Sequence, residues 1–95
     1  MPKAYIISRV TVHDAEAYGR YTALASVAMQ KYGARVLARG GRCEALEGEA
    51  RPRNVVLEFD DYATAKAYFA SPEYQAARAQ RIGAADFEMT LVEGA

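Results

Sequence analysis

Lys31-Tyr32-Gly33-Ala34-Arg35-Val36-Leu37-Ala38-Arg39 is the stretch on which the fold turns. Its first residues end a helix and its last five make a strand. Lys31 puts a cation where a helix C-terminus carries partial negative charge. Gly33 supplies the left-handed stop that side-chain-bearing residues adopt only at a cost. The spacing then turns from helical to alternating, with Arg35, Leu37 and Arg39 on one side and Val36 and Ala38 on the other.

Working backwards, Tyr18, Tyr21, Ala25, Ala28 and Tyr32 fall at 3-4-3-4 spacing, the inner stripe of a helix. Asp14 suits its N-cap, and Glu16 lies in the first turn, where the helix dipole favours a carboxylate. Ala4–Val10 precedes it as a strand, with Tyr5 and Ile7 on one side and Ala4, Ile6, Ser8 and Val10 on the other. Working forwards, a second unit repeats the order. Val55–Phe59 alternates Val55, Leu57 and Phe59 against Val56 and Glu58. Asp61 caps a helix whose expected buried stripe is Tyr62, Ala65 and Phe69. Ser71-Pro72-Glu73 starts another helical piece, with N-cap, proline in the first turn and acid next, reaching Arg81 or Ile82 before Gly83 stops it. Phe87–Val92 closes the chain as a strand. The order βαββαβ predicts an α+β, ferredoxin-like antiparallel sheet with its helices on one face, in one domain over residues 1–95.

Between the halves, Gly40-Gly41 reads as a tight hairpin turn or as a bulge in one long bent strand continuing through Arg42–Leu46. The bulge is preferred, because Val55–Phe59 needs an antiparallel partner of matching length. Glu47–Arg53 is then the polar connection.

Ninety-five residues bury only about 60–70% of the unfolded surface, so association adds stability. Apolar residues make up 52% of the chain, enough for a sheet covered on both faces, and a second copy is the expected cover: a homodimer. Twelve basic and twelve acidic residues cancel without a basic stripe, which speaks against a nucleic-acid partner. The short apolar run at the N-terminus suits neither a signal peptide nor a membrane span. Cys43 is the only cysteine, which favours a reducing cytoplasm, and its expected strand position makes it a small apolar filler.

Several stretches taken together carry a resemblance. They are Asp14-Ala15-Glu16-Ala17-Tyr18 with Tyr21, then Lys31 to Gly41, Leu46-Glu47-Gly48, Arg53 to Phe59, Ser71-Pro72-Glu73-Tyr74-Gln75 and Val92-Glu93-Gly94. In this order and spacing the whole chain resembles the domain of unknown function 1330 family. One departure is Asp60-Asp61, which stands where the family pattern suggests a proline–serine pair; Asp61 still serves as the cap. The resemblance implies a dimeric α/β barrel, in which two ferredoxin-like sheets pack face to face with the helices outside. That superfamily includes small monooxygenases, haem-dependent enzymes and ligand-sensing domains.

Candidate site residues follow from chemistry out of place. Charged Arg9, Arg39, Glu58 and Glu88 lie in predicted strands, where a covered face leaves ionised groups in need of partners. Arg39 and Glu58 have apolar flanks and could pair across neighbouring strands. They form either an ion-pair lattice or a pocket in which Arg39 holds an anion and Glu58 acts as acid or base. Tyr21 and Tyr74, among seven tyrosines, are core fillers or the walls of a pocket for a flat organic ligand. His13, the only histidine, is a turn residue or a general base at the pocket mouth. The expected catalytic pair is thus Glu58 and His13, with Arg39, Tyr21 and Tyr74 binding ligand. Arg51, Arg53, Arg78 and Arg81 read as solvated. One histidine, outside any helix, and one cysteine offer neither a metal cage nor an axial haem ligand, so no metal and no cofactor is expected. Two functions remain open: a cofactor-free enzyme acting on a small aromatic or acidic molecule between sheet and helices, or a non-catalytic dimeric module that binds or senses such a molecule.

Overall fold

The computed structural model describes residues 2–95. The elements run β1 (Ala4–Val12), α1 (Ala15–Lys31), β2 (Arg35–Arg39), β3 (Arg53–Phe59), α2 (Tyr62–Ala70), α3 (Pro72–Arg81) and β4 (Ala85–Glu93). The four strands form one antiparallel sheet in the order β2-β3-β1-β4, and the helices cover one of its faces. This is the ferredoxin-like α+β arrangement that the two βαβ units predict.

Local chemistry fixes the helix ends. The Asp14 carboxylate accepts from the backbone N–H groups of Glu16 and Ala17, and that of Asp61 accepts from Thr64. The Ser71 hydroxyl accepts from Tyr74 N–H at the start of α3, with Pro72 in the first turn. Gly33, with φ of +69°, ends α1. The core lies between α1, α2, α3 and the strand residues Ala4, Ile6, Val10, Leu57 and Phe59. Tyr68, Tyr74, Phe59, Ile6 and Val10 are its largest fully buried side chains.

Three sequence expectations need correction. Gly40-Gly41 is neither a hairpin nor a bulge, and Arg42–Leu46 is not a strand. A connection without regular structure runs over residues 40–52 and is exposed almost throughout, Leu46 to 89%. Cys43 and Ala45 alternate with charged Arg42 and Glu44 but offer little apolar surface to bury, and Arg35–Arg39 already serves as partner to β3. The bulge lies earlier, between Val36 and Ala38. Cys43 is therefore an exposed loop thiol, not a strand filler. On α2 the buried pair is Ala65 and Tyr68, while Tyr62 and Phe69 are 42% and 39% exposed. Apolar residues surround this short helix, so its periodicity has no single phase. Packing sets the phase by seating Tyr68 against Phe59 and Tyr74, at ring-centroid distances of 5.1 and 4.9 Å.

Candidate functional site

Alternation along the strands separates two kinds of site. Residues 53, 55, 57 and 59 of β3, and 4, 6, 8 and 10 of β1, face the helices, while Tyr5, Ile7, Arg9, Val56 and Glu58 face away from them. On the helix side a cleft opens between α1 and the sheet. Tyr18, Tyr21, Tyr68 and Phe87 form its walls, and Arg39 and Arg53 stand among its lining residues. Its inner part encloses about 40 Å³, roughly enough for two or three waters. It continues through Ser26, Met29 and Arg39 into an outer groove of about 320 Å³ between α1 and β2.

The local sequence explains why the cleft stays open. Thr22 and Ser26 on α1 are small, and their hydroxyls donate to the helix carbonyls of Gly19 and Thr22 instead of filling the gap. Arg53 lies across the Tyr18 ring, 5.3 Å from its centroid, and its Nε donates to the Tyr18 hydroxyl at 3.0 Å. Gly40 makes room for that arginine. Its φ is +67°, and a Cβ there would stand 2.5 Å from Arg53 Nη1.

Tyr74 and Arg81 stand outside the lining: the Tyr74 hydroxyl lies 2.9 Å from that of the wall residue Tyr21, and an Arg81 Nη2 donates to the Tyr74 oxygen at 3.3 Å. Arg81 stacks over Phe87, 3.7 Å from its centroid, and lies 5.4 Å from that of Tyr21. Burial, reinforced by Tyr74, pushes the Tyr21 phenol well above the usual tyrosine range, with Arg81 partly opposing. Burial does the same to Tyr68. At neutral pH these tyrosines are protonated hydrogen-bond donors. No carboxylate or imidazole lines the cleft among the described residues.

The open face carries the paired charges. Arg35 Nε donates to Glu58 Oε1 at 2.7 Å, the Tyr5 hydroxyl donates to Glu58 Oε2 at 3.1 Å, and Arg35 also reaches Asp60. Arg35, and then Tyr5, hold the Glu58 carboxyl below the usual range. Further along, Arg51 and Arg9 both pair with Glu88, and His13 Nε2 lies 2.8 Å from Asp86. Arg51 holds Glu88 below its usual range, and His13 does the same for Asp86.

Of the five residues expected to form a site, the structure brings Tyr21 and Arg39 into one cleft and places Tyr74 directly behind Tyr21. Glu58 sits on the opposite face of the sheet, and His13 is exposed beside Asp86, outside the cleft lining. The expected Arg39–Glu58 pair does not form. The bulge puts Arg39 opposite Val55 and Arg35 opposite Glu58, so Arg35 is the partner. Two arginines read as solvated belong here instead: Arg53 is half-buried against Tyr18, and Arg81 is buried. A signal for Arg81 was present, since Tyr74, Ala77 and Arg81 fall at i, i+3 and i+7 on one face of α3.

Among the described residues no three of His, Cys, Asp and Glu converge as metal ligands, and no helix is long and apolar enough to cross a membrane. The profile of the family described as Domain of unknown function (DUF1330) matches residues 3–95. No curated protein matches. Among solved structures, a protein of unknown function from Rhodopseudomonas palustris is similar at a TM-score of 0.79 and 19% identity, covering 99% of this chain and 83% of that one. A dimeric protein of unknown function with a ferredoxin-like fold from Bacteroides fragilis gives 0.65 and 15%, covering 96% and 95%. A variant of SnoaB, a cofactor-independent oxygenase from Streptomyces nogalater, gives 0.69 and 15%, covering 97% and 92%. At these identities the likeness is one of fold.

Proposed function

We propose that this chain, which belongs to the DUF1330 family, is a cytoplasmic homodimer that takes up a small, flat, acidic organic molecule in the cleft between α1 and the sheet. The observation that carries this reading is the lining itself: four aromatic rings and two arginines, with no acid among the lining residues described. Aromatic walls suit a planar ring, and arginine suits a carboxylate or phenolate. The inner 40 Å³ takes only the edge of such a molecule, and the outer groove takes the rest.

The dimer would pair the open faces of two sheets. Ile7 and Val92 are 38% and 43% exposed there, Val56 lies opposite Ile7, and paired charges stand at both ends. An antiparallel sheet can also keep one face in water. The dimeric relative from Bacteroides fragilis supports pairing. Light scattering is expected to give twice the 10.4 kDa chain mass, and Val56→Arg to give the monomer. A wild-type monomer at micromolar concentration would remove this part of the proposal.

The same cleft supports a catalytic reading, a cofactor-free oxygenase, to which the likeness to SnoaB lends weight. With no general base in the lining, such an enzyme needs a substrate acidic enough to ionise against the arginines. A thermal-shift panel of aromatic acids, phenols and neutral isosteres tests binding, because a ligand held only by the native state raises apparent stability. Acidic members are expected to shift the transition and neutral ones not. Oxygen uptake with the members that bind then separates the enzyme from the binding module. A panel in which no acidic aromatic shifts the transition would overturn the assignment of the cleft.

A further inference from the structure

Arg81 is a buried cation without a counter-charge. It is 6% exposed, no carboxylate pairs with it among the described residues, and its Nε has no hydrogen-bond partner. Its neighbours are the faces of Phe87 and Tyr21 and the hydroxyl of Tyr74. Phe87 and Tyr21 are also walls of the cleft. A charge in such surroundings is costly unless something compensates it. The neighbouring rings supply only a weak substitute.

The chemistry of the three polar groups gives their hydrogen bonds a direction. Arginine has donors and no acceptor. The Tyr74 oxygen must therefore accept from Arg81, and its own hydrogen is free to donate. Tyr21 is the hydroxyl beside it, at 2.9 Å. If Tyr21 donated to Tyr74 instead, the Tyr74 hydrogen would be left without an acceptor at a fully buried site, a costly arrangement. The sequence Arg81 to Tyr74 to Tyr21 gives the Tyr74 hydrogen an acceptor and leaves one donor of the set, the Tyr21 hydrogen, free on a residue that lines the cleft.

We propose that Arg81, Tyr74 and Tyr21 form a one-way donor chain, so that the cleft takes its aromatic ligand as an oxyanion, a phenolate or enolate, and not as the neutral molecule. The proposal rests on the cleft being a binding site and adds which form of the ligand it selects. Tyr21 touches the ligand, while Tyr74 and Arg81 are positioning residues that keep the Tyr21 hydroxyl donating outwards. Successive hydrogen bonds polarise one another, so the charge of Arg81 strengthens the terminal donor. Burial keeps the Tyr21 phenol protonated at neutral pH, as a donor must be. Bound oxyanion then supplies the counter-charge that Arg81 lacks.

The test uses two probes of nearly the same shape, 4-nitrophenol and 4-nitroanisole, only the first of which ionises, visibly in its absorbance. With the intact protein, bound 4-nitrophenol is expected to ionise at a pH at least one unit lower than free 4-nitrophenol, an about tenfold preference for the phenolate. Tyr21→Phe keeps the ring and is expected to reduce that preference to within about twofold, with a smaller change in 4-nitroanisole affinity than in 4-nitrophenolate affinity. Arg81→Met is expected to weaken it in the same direction. Should Tyr21→Phe fail to fold, the ionisation of the probe on wild-type protein still decides: binding in the neutral form overturns the proposal. An unchanged preference in Tyr21→Phe also overturns it while leaving the cleft a binding site. If neither probe perturbs the methyl resonances of Met29 and Met89 in the lining, the binding reading and the donor chain fail together.

Discussion

One sheet, with two faces, handles charge in opposite ways. On the open face each strand charge has found a partner: Glu58 has Arg35, Glu88 has Arg51 and Arg9, and Asp86 is hydrogen-bonded to His13. All of these groups touch solvent, where pairing contributes little and its absence costs little. On the helix face Arg39, Arg53 and Arg81 approach one aromatic cleft, and no carboxylate lines it. Of these Arg81 is buried, so an unpaired charge stands where it is expensive, while the paired charges stand where pairing is cheap. Selection for stability alone would give the reverse. The open face has the features of a docking surface, with a salt-bridge lattice to set register. The helix face has those of a site waiting for an anion.

The sharpest break between the faces should be in stability. Tyr68 is 1% exposed and packs against Phe59, Tyr74 and Tyr32. Tyr68→Ala is expected to cost ~3–5 kcal/mol by chemical denaturation, the range for removing a large buried ring. Tyr5→Ala on the open face removes a half-buried ring that is not part of the core cluster, together with its bond to Glu58, and is expected to leave most of the stability intact. If the two variants denatured at similar denaturant concentrations, the open face would be as well packed as the helix face and the comparison would fail.

The sorting of residues between the two faces was legible in the sequence, because it rests on alternation. A strand period of two puts Leu57 and Phe59 on one face and Glu58 on the other, and likewise separates Ile6 from Tyr5, without saying which face meets the helices. The caps at Asp14, Asp61 and Ser71 and the stop at Gly33 are equally local. What stayed hidden depends on register. The Arg39–Glu58 expectation took the right strands and the wrong row: the register sets Arg35 opposite Glu58 and Arg39 opposite Val55, the bulge at Leu37 turns Arg39 to the helix face, and no residue type announces either. Arg81 stayed hidden because charge argues for solvent more loudly than helical spacing argues for burial. Burial of Tyr68 over Phe69 was settled by Phe59 and Tyr74, which lie outside α2, on β3 and α3, so the helix's own periodicity could not show it.

A weaker effect is read in pH. The carboxyls of Glu58, Glu88 and Asp86 on the open face are held below their usual range by Arg35, Arg51 and His13, as are those of Asp61 and Glu73 at the helix N-termini by the Thr64 N–H and Lys31. A carboxyl lowered in the folded state binds fewer protons than in the unfolded chain. Its stabilisation is present above the unfolded value, ~4, and is lost as pH falls through the folded one. Stability should therefore decline as acid is added below about pH 4. Arg35→Met should flatten part of that decline, because Glu58 then titrates closer to its unfolded value. The helix-face cleft has no carboxylate in its lining, so Arg81→Met is expected to leave the acid slope unchanged. Denaturant midpoints at pH 7 and pH 3 for the three proteins decide this, and a slope altered by Arg81→Met would point to a carboxylate partner on the helix face.

The smallest effect concerns the cleft's rim. Arg39 is exposed, on an edge strand, and no ion pair holds it among the described residues. Arg39→Met is expected to change stability by no more than about 0.5 kcal/mol, as for most surface substitutions. Its influence should appear in binding alone. A unit charge about 4 Å from an anion in bulk water contributes ~1 kcal/mol, roughly a fivefold change in affinity, and salt screens it. 4-Nitrophenolate should therefore bind Arg39→Met several-fold more weakly at low ionic strength, with the gap closing as salt is added. The deficit of Arg81→Met should persist in salt, since Arg81 acts from a buried position through Tyr74 and Tyr21. If both deficits vanished together in salt, Arg81 would be acting as one more screened surface charge, and the distinction between rim and buried arginine would be lost.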